Sequence, residues 1–303
     1  MPAMSIASGS TLTLLAAARP ARPTSGKPWG NASAEATGEL GVDLVAGQST
    51  VTSLRATSPL RLLVPRARGP SVWAYMSNLG GGLVAGDQTR LEVRAGAGTV
   101  CYLGTQGSTK IYRCTEGRTC RQQLRATLAT GARLILAPDP VTCFAAARFE
   151  QCQRFELAPA AGLVLVDWFT AGRQARGERW AFDGYDSRNE IWLDGTPVLR
   201  DALHLDPAAG PLTDPYRCGR FDCFAVLVLV GEPVRAAAAQ LLARVAAKPA
   251  APHGDLVLAA SPLAAGALLR VAGRHTEAVA RLVRDQLEFV CAWLQDDPWA
   301  RKW

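Results

Sequence analysis

The residues best able to do chemistry fall in three short stretches. Gly80-Gly81-Gly82-Leu83-Val84-Ala85-Gly86-Asp87 has the glycine density of a phosphate cradle, since backbone amides approach an anion closely only where side chains are absent. Its spacing, G-x-G-x-x-x-G, departs from the dinucleotide fingerprint, and Gln88–Arg94 alternates like a strand where that motif opens a helix. The segment reads as a turn whose Asp87 bonds backbone amides. A nucleotide-dependent oxidoreductase using the Gly80–Gly86 loop is the alternative. Thr105-Gln106-Gly107-Ser108-Thr109-Lys110-Ile111-Tyr112 lacks the Gly-Lys-Ser/Thr of a phosphate loop. So many hydrogen-bonding side chains indicate a packed polar network or a recognition surface, against the plainer reading of a loop with one exposed lysine. In Asp167–Trp180, Asp167 and Glu178 are able to bind a cation or serve as acid and base, with Arg173 and Arg176 close by. The same four residues are equally able to form structural ion pairs.

Conventional catalytic sets do not assemble. The three histidines, His204, His253 and His275, belong to no metalloprotease or nucleophile-elbow pattern. The eight cysteines include no Cys-x-x-Cys pair, which removes the usual signature of a zinc ribbon or a dithiol oxidoreductase. This scarcity tells against a tight transition-metal cage and against histidine-based catalysis. The expected chain is a scaffold, not an enzyme.

Composition narrows the class further. In 303 residues, 33 Lys and Arg face 26 Asp and Glu, for a net charge of +7. The basic residues are scattered, with no run and no recognised module, so nucleic acid is not an expected partner. Apolar residues make up 49% and charged ones 19%, the composition of a folded protein with a large core. The longest apolar run, Phe224 to Val230, is far shorter than a membrane span. No charged-then-apolar secretory leader is evident, so a reducing, cytoplasmic setting is expected, with most thiols acting as small buried hydrophobes. Residues 1–36, rich in Ala, Ser, Thr and Pro with no acid before Glu35, read as a flexible N-terminal tail, ahead of one domain over 37–303.

The elements that must position these stretches are mostly strands. Leu91–Val93, Thr99–Leu103, Arg133–Leu136, Leu163–Val166 and Cys223–Val230 have strand length and pattern, with Leu163–Val166 expected to be buried on both faces. Ile191–Leu193, Asp194-Gly195 and Val198-Leu199 form the clearest hairpin signal. Helical spacing occurs twice, in Pro233–Ala247 and in His275–Leu294, the latter with Thr276 as its cap. The expected fold class is α+β, predominantly β, with two main helices late in the chain.

Taken in order, the motifs resemble the UreD/UreH family of urease accessory proteins. The resemblance rests on Asn78–Asp87, Thr105–Tyr112, Pro138-Asp139-Pro140 with Phe144 and Gln151, Asp167-Trp168 running into Gly172-Arg173 and Arg176-Gly177-Glu178, and Ser187–Ile191. It covers roughly residues 38–303; Leu79 stands where many relatives carry Pro, and Ala85 where many carry Gly. It implies a β-rich superhelical fold and a non-catalytic maturation factor that binds apo-urease and a UreF-like helical accessory protein, which recruits a UreG-like GTPase. The implied cofactor state is none tightly bound, with a nickel ion in transit to the urease site. Weak, exchangeable oxygen ligands suit such transit better than a retaining Cys/His cage. On this reading Asp87, Asp139, Asp167 and Glu178 include carboxylates facing a polar passage, Gln106 and Lys110 organise it or touch a partner, and Arg173 and Arg176 support it. Trp299 and Trp303 are candidate partner contacts.

Overall fold

The computed structural model describes residues 35–66, 69–249, 251 and 253–300, so Trp303 and the first 34 residues of the expected tail lie outside the described part. Chain alternation dominates from Ala36 onward. Strands β1 (Ala36–Val45), β2 (Gln48–Ala56), β3 (Leu60–Leu63) and β4 (Val72–Asn78) begin the fold. Successive coils follow: β5 (Gly82–Leu83), β6 (Gln88–Ala95) and β7 (Val100–Thr105); β8 (Thr109–Ile111), β9 (Cys120–Leu128) and β10 (Arg133–Leu136); β11 (Val141–Cys143), β12 (Arg148–Leu157) and β13 (Gly162–Thr170). Then come β14 (Gly184–Leu193), β15 (Thr196–Leu205), β16 (Cys223–Gly231), helix α1 (Arg235–Ala246), β17 (Leu256–Leu263), β18 (Gly266–Gly273), and helices α2 (Thr276–Gln286) and α3 (Glu288–Leu294).

These coils stack as a β-solenoid with three sides. One side is a seven-stranded sheet in the order β15-β14-β12-β9-β6-β1-β2, whose interior pairs are all parallel. The second side runs β17-β18-β16-β13-β10-β7-β4-β3, with parallel pairing from β4 through β13. The third and narrowest side is β5, β8 and β11 in parallel, joined to the far end of β13. Because each coil pairs in register with the next, side chains at equivalent positions form rows along the solenoid axis.

Strand burial explains the sequence pattern. On β13, Leu163 and Leu165 point into the core between the two large sheets, while Val164 and Val166 face the helices that cover the second sheet's outer side. A strand covered on both faces has no reason to alternate, which is why this run is continuously apolar. The hairpin between β14 and β15 turns at Asp194 (φ 48°) and Gly195 (φ 70°), the left-handed pair of a type I′ turn.

The C-terminal helical region departs from the expected single helix. It breaks at Leu287 (φ −106°, ψ 10°), giving α2 and α3 and so three α-helices among the described residues. The Leu287 and Val290 amides donate to carbonyls three residues back, which tightens the chain and keeps Leu287, Val290 and Leu294 buried against the sheet. Thr276, the expected cap, is instead the first helical residue, and the cap position is taken by His275, in extended conformation and without a side-chain cap bond. Among the described residues no helix is long and apolar enough to cross a membrane.

Phe155 is fully buried in the core between the sheets, in register with Ala126 and Ile191. Replacing it by alanine is expected to cost about 3–5 kcal/mol through lost transfer energy and an unfilled cavity, read as a lower denaturant midpoint with little change in slope.

Candidate functional site

Two apolar cores occupy the solenoid interior, and a polar stratum separates them. One core is packed between the large sheets around Leu103, Leu134, Phe155 and Ile191; the other lies toward the third side around Leu83, Ile111, Phe149, Phe169 and Tyr185. Inward positions of successive strands change character at the same level. On β12 they read Phe149, Gln151, Gln153, Phe155; on β14, Tyr185, Ser187, Asn189, Ile191; on β13, Leu165, Asp167, Phe169. Register aligns Thr89, Gln122, Gln151 and Ser187 as one row across four parallel strands.

Asp167 is the hub of this layer. Gln151 Nε2 donates to its Oδ1 at 3.0 Å, while Ser187 Oγ (2.9 Å) and Asn189 Nδ2 (2.7 Å) donate to Oδ2. Gln151 also donates to Ser187 Oγ at 3.2 Å. The carboxylate is held by neutral donors, with Gln151, Ser187 and Asn189 all buried. Asn189 Oδ1, buried within the layer, has no hydrogen-bond partner among the described residues. One coil earlier, Thr105 Oγ1 donates to Asp139 Oδ2 at 3.0 Å and accepts the Asp139 amide at 2.7 Å. Trp168 Nε1 donates to the Pro138 carbonyl at 2.8 Å, fixing the segment that carries Asp139. A buried polar group left without a partner costs about 1–3 kcal/mol, a cost that the bonds around Asp167 avoid and that Asn189 Oδ1 alone of this hub bears.

The stratum reaches a cavity of ≈ 260 Å³ at the early coils, lined by Thr89, Thr105, Gln122, Gln106, Lys110 and Asn78 among others. Gln106 and Lys110 are therefore at a mouth, with Gln106 Oε1 accepting from Ser77 Oγ at 3.0 Å. Gly82 forms part of this wall because a Cβ there would collide with the Lys110 carbonyl.

The remaining predicted residues lie elsewhere. Arg173 and Glu178 form a two-pronged pair, Nε to Oε2 at 2.8 Å with the second nitrogen on Oε1, and Glu178 also accepts the Ala145 amide at 3.1 Å. The Arg173 guanidinium sits 4.0 Å from the centre of the Phe144 ring, which meets Tyr112 edge-on at 5.2 Å; Tyr112 donates to the Gly80 carbonyl at 3.2 Å. Four sequence motifs thus meet at the third side of the solenoid. Bonding to Arg173 holds the Glu178 carboxyl below its usual range, with the Ala145 amide and Arg176 adding to the effect. Arg176 is exposed beside this pair. Asp87 accepts the Val84 amide at 2.9 Å and closes its own turn, and the glycine segment leads into strand β6, not into the helix a dinucleotide loop requires. Trp299 packs against the chain's own helix-covered core.

Among the described residues no group of three or more His, Cys, Asp or Glu is arranged to hold a metal ion. What the stratum offers is amide, hydroxyl and carboxylate oxygens, hard donors as distinct from thiolates or imidazoles. Gln122, Gln151, Ser187 and Asn189 were not among the residues expected to form the site. Their signal was present, because Gln151 and Gln153 share the parity of Phe149 and Phe155 on an otherwise core-facing row.

The sequence profile of the family described as UreD urease accessory protein matches residues 34–303. Urease accessory protein UreD of Anaeromyxobacter sp. (strain Fw109-5) is 50% identical over 211 residues, 70% of this chain and 70% of that protein. Urease accessory protein UreD of Sorangium cellulosum (strain So ce56) is 48% identical over 214 residues, 70% of this chain and 67% of that protein. Urease accessory protein D of Arabidopsis thaliana is 42% identical over 116 residues, 38% of this chain and 40% of that protein.

The lowered Glu178 carboxyl sets a pH dependence. A carboxyl depressed on folding contributes stability above its ordinary value of 4.5, and the contribution disappears as pH falls through the depressed value. The melting temperature of Glu178→Gln is expected to lie below wild type at neutral pH and to converge with it in acid below the usual carboxylate range; a gap independent of pH would remove the ion pair as its cause.

Proposed function

The chain belongs to the UreD family of urease accessory proteins, and from that premise we propose that it serves urease maturation as a scaffold that turns over no substrate of its own. Its cargo on this reading is a nickel ion, passed along the polar stratum toward apo-urease. A UreF-like helical protein would dock on the chain, and a UreG-like GTPase would join through that complex. The setting proposed is the cytoplasm, where apo-urease and the GTPase would be reached directly.

The observation that carries this reading is the stratum: a polar layer running across successive coils between two apolar cores, open at a cavity and bordered by Asp139 and Asp167. A fold needing only stability gains nothing by placing a carboxylate and three buried amide or hydroxyl side chains there, since apolar residues of similar volume do as well or better. A conduit needs them. Nickel held by oxygen donors and water exchanges readily, whereas paired thiolates or imidazoles at matched spacing would retain it.

Asp139 offers the cleaner test because its bonds to Thr105 leave the Asp167 hub intact. With Asp139→Asn co-expressed beside urease and its other accessory proteins, urease nickel content and activity are expected to fall several-fold while pull-down shows the complex still assembled. Full nickel loading in that variant would take the conduit role from Asp139. Loss of soluble complex before any loss of loading would assign it to the fold.

A further inference from the structure

Eight cysteines are dispersed in the sequence, yet the fold brings two of them together away from the polar stratum. Cys114 follows β8 and Cys120 opens β9, and their Sγ atoms lie 3.6 Å apart inside the core next to the third side. We propose that Cys114 and Cys120 form a reversible dithiol–disulfide site whose substrate is a hydroperoxide, a chemistry separate from any passage of cargo through the oxygen-lined layer.

Geometry and environment assign the two sulfurs different parts. Cys114 Sγ receives the Arg148 amide at 3.2 Å and lies within hydrogen-bonding distance of the Cys120 thiol. Both interactions favour its thiolate, and its pKa is drawn down to about 6, first by the Cys120 thiol. Cys120 is fully buried, its one S–H proton lies between two acceptors, the Val84 carbonyl at 3.1 Å and Cys114 Sγ at 3.6 Å, and it is held protonated by the neighbouring anion. Cys114 is 9% exposed, enough of an edge to meet a small oxidant. The remaining thiols are the reverse case: Cys152 and Cys291 are more exposed, but desolvation raises both. A thiolate, not a thiol, is the nucleophile, so the buried pair reacts ahead of the more accessible cysteines.

The steps balance. The Cys114 thiolate attacks one peroxide oxygen, the O–O bond breaks, and the leaving alkoxide (hydroxide, for hydrogen peroxide) takes up a proton as alcohol or water. Cys114 is then a sulfenic acid. Cys120 sulfur attacks it, the S–S bond forms, the S–O bond breaks, and water departs with the Cys120 proton. Two thiols are oxidised by two electrons and one peroxide is reduced. Closing from 3.6 Å to a bond of about 2.05 Å asks for a small approach. The connecting residues 115–117 form an exposed turn with left-handed Glu116 and Gly117, so the segment is free to take up that movement. Oxidation also removes the Cys120 thiol proton that lies near the Val84 carbonyl, next to the turn closed by Asp87.

The experiment treats the native full-length protein with equimolar hydrogen peroxide, alkylates the remaining thiols after unfolding, and maps the peptides. The expected result is a Cys114–Cys120 cross-link that dithiothreitol reverses, with two of the eight thiols lost and Cys152 and Cys291 still alkylated. Cys120→Ser is expected to stop at a Cys114 sulfenic acid trapped by dimedone, and native alkylation of Cys114 in the wild type to reach half its maximum below the pH at which an ordinary free thiol does. Oxidation falling first on Cys152 or Cys291, or Cys114 advancing to sulfinic acid without a cross-link in the wild type, would overturn the assignment. The wild-type map decides even where a serine variant folds poorly.

Discussion

A half-buried carboxylate must find donors, and Asp167 finds three neutral ones on a different sheet. That requirement ties β12, β13 and β14 to a single register. A slip of one residue would turn Gln151, Ser187 and Asn189 outward and leave Asp167 facing apolar side chains. The two apolar cores on either side supply most of the stabilisation, but they do not select the register so sharply, since an apolar row tolerates a change of partner. The polar layer therefore helps to specify how the coils stack.

The parallel solenoid makes such a layer possible. In an antiparallel meander neighbouring strands are joined by short hairpins, whereas here the parallel strands β6, β9 and β12 are each separated from the next by a strand of both other sides of the coil. One inward residue per coil then suffices to build a continuous row. The same arithmetic assembles the third side, where Gly80, Tyr112, Phe144 and Arg173 come from four segments and meet as a carbonyl, two rings and a guanidinium. Arg173 is held there by Glu178, so the ion pair that resembled an acid–base site works as a clamp at the end of this stack.

Hard and soft donors are kept apart. The stratum is made of oxygens and amides, while Cys114, Cys120 and Cys143 lie in the core beyond it, with Cys143 pushed up by burial. Mixing thiolates into the stratum would create a retaining site for a transition metal. Their separation keeps sulfur out of the layer around Asp167.

Much of this was legible in the residues themselves. Strand parity, the doubly buried run at Leu163–Val166 and the Asp194-Gly195 turn follow from local periodicity and backbone preference, which act over a few residues and need no distant partner. The ordered motifs carried the family resemblance. Only the tertiary structure decided that Gln151, Ser187 and Asn189 surround Asp167, that Asp87 serves its own turn, and that Cys114 lies against Cys120. It also broke the last helix at Leu287 to keep both halves on the sheet. The reason is the spacing of the coils. β6, β9, β12 and β14 begin at residues 88, 120, 148 and 184, so no fixed period links their rows, and register emerges only when cores and polar partners are packed together.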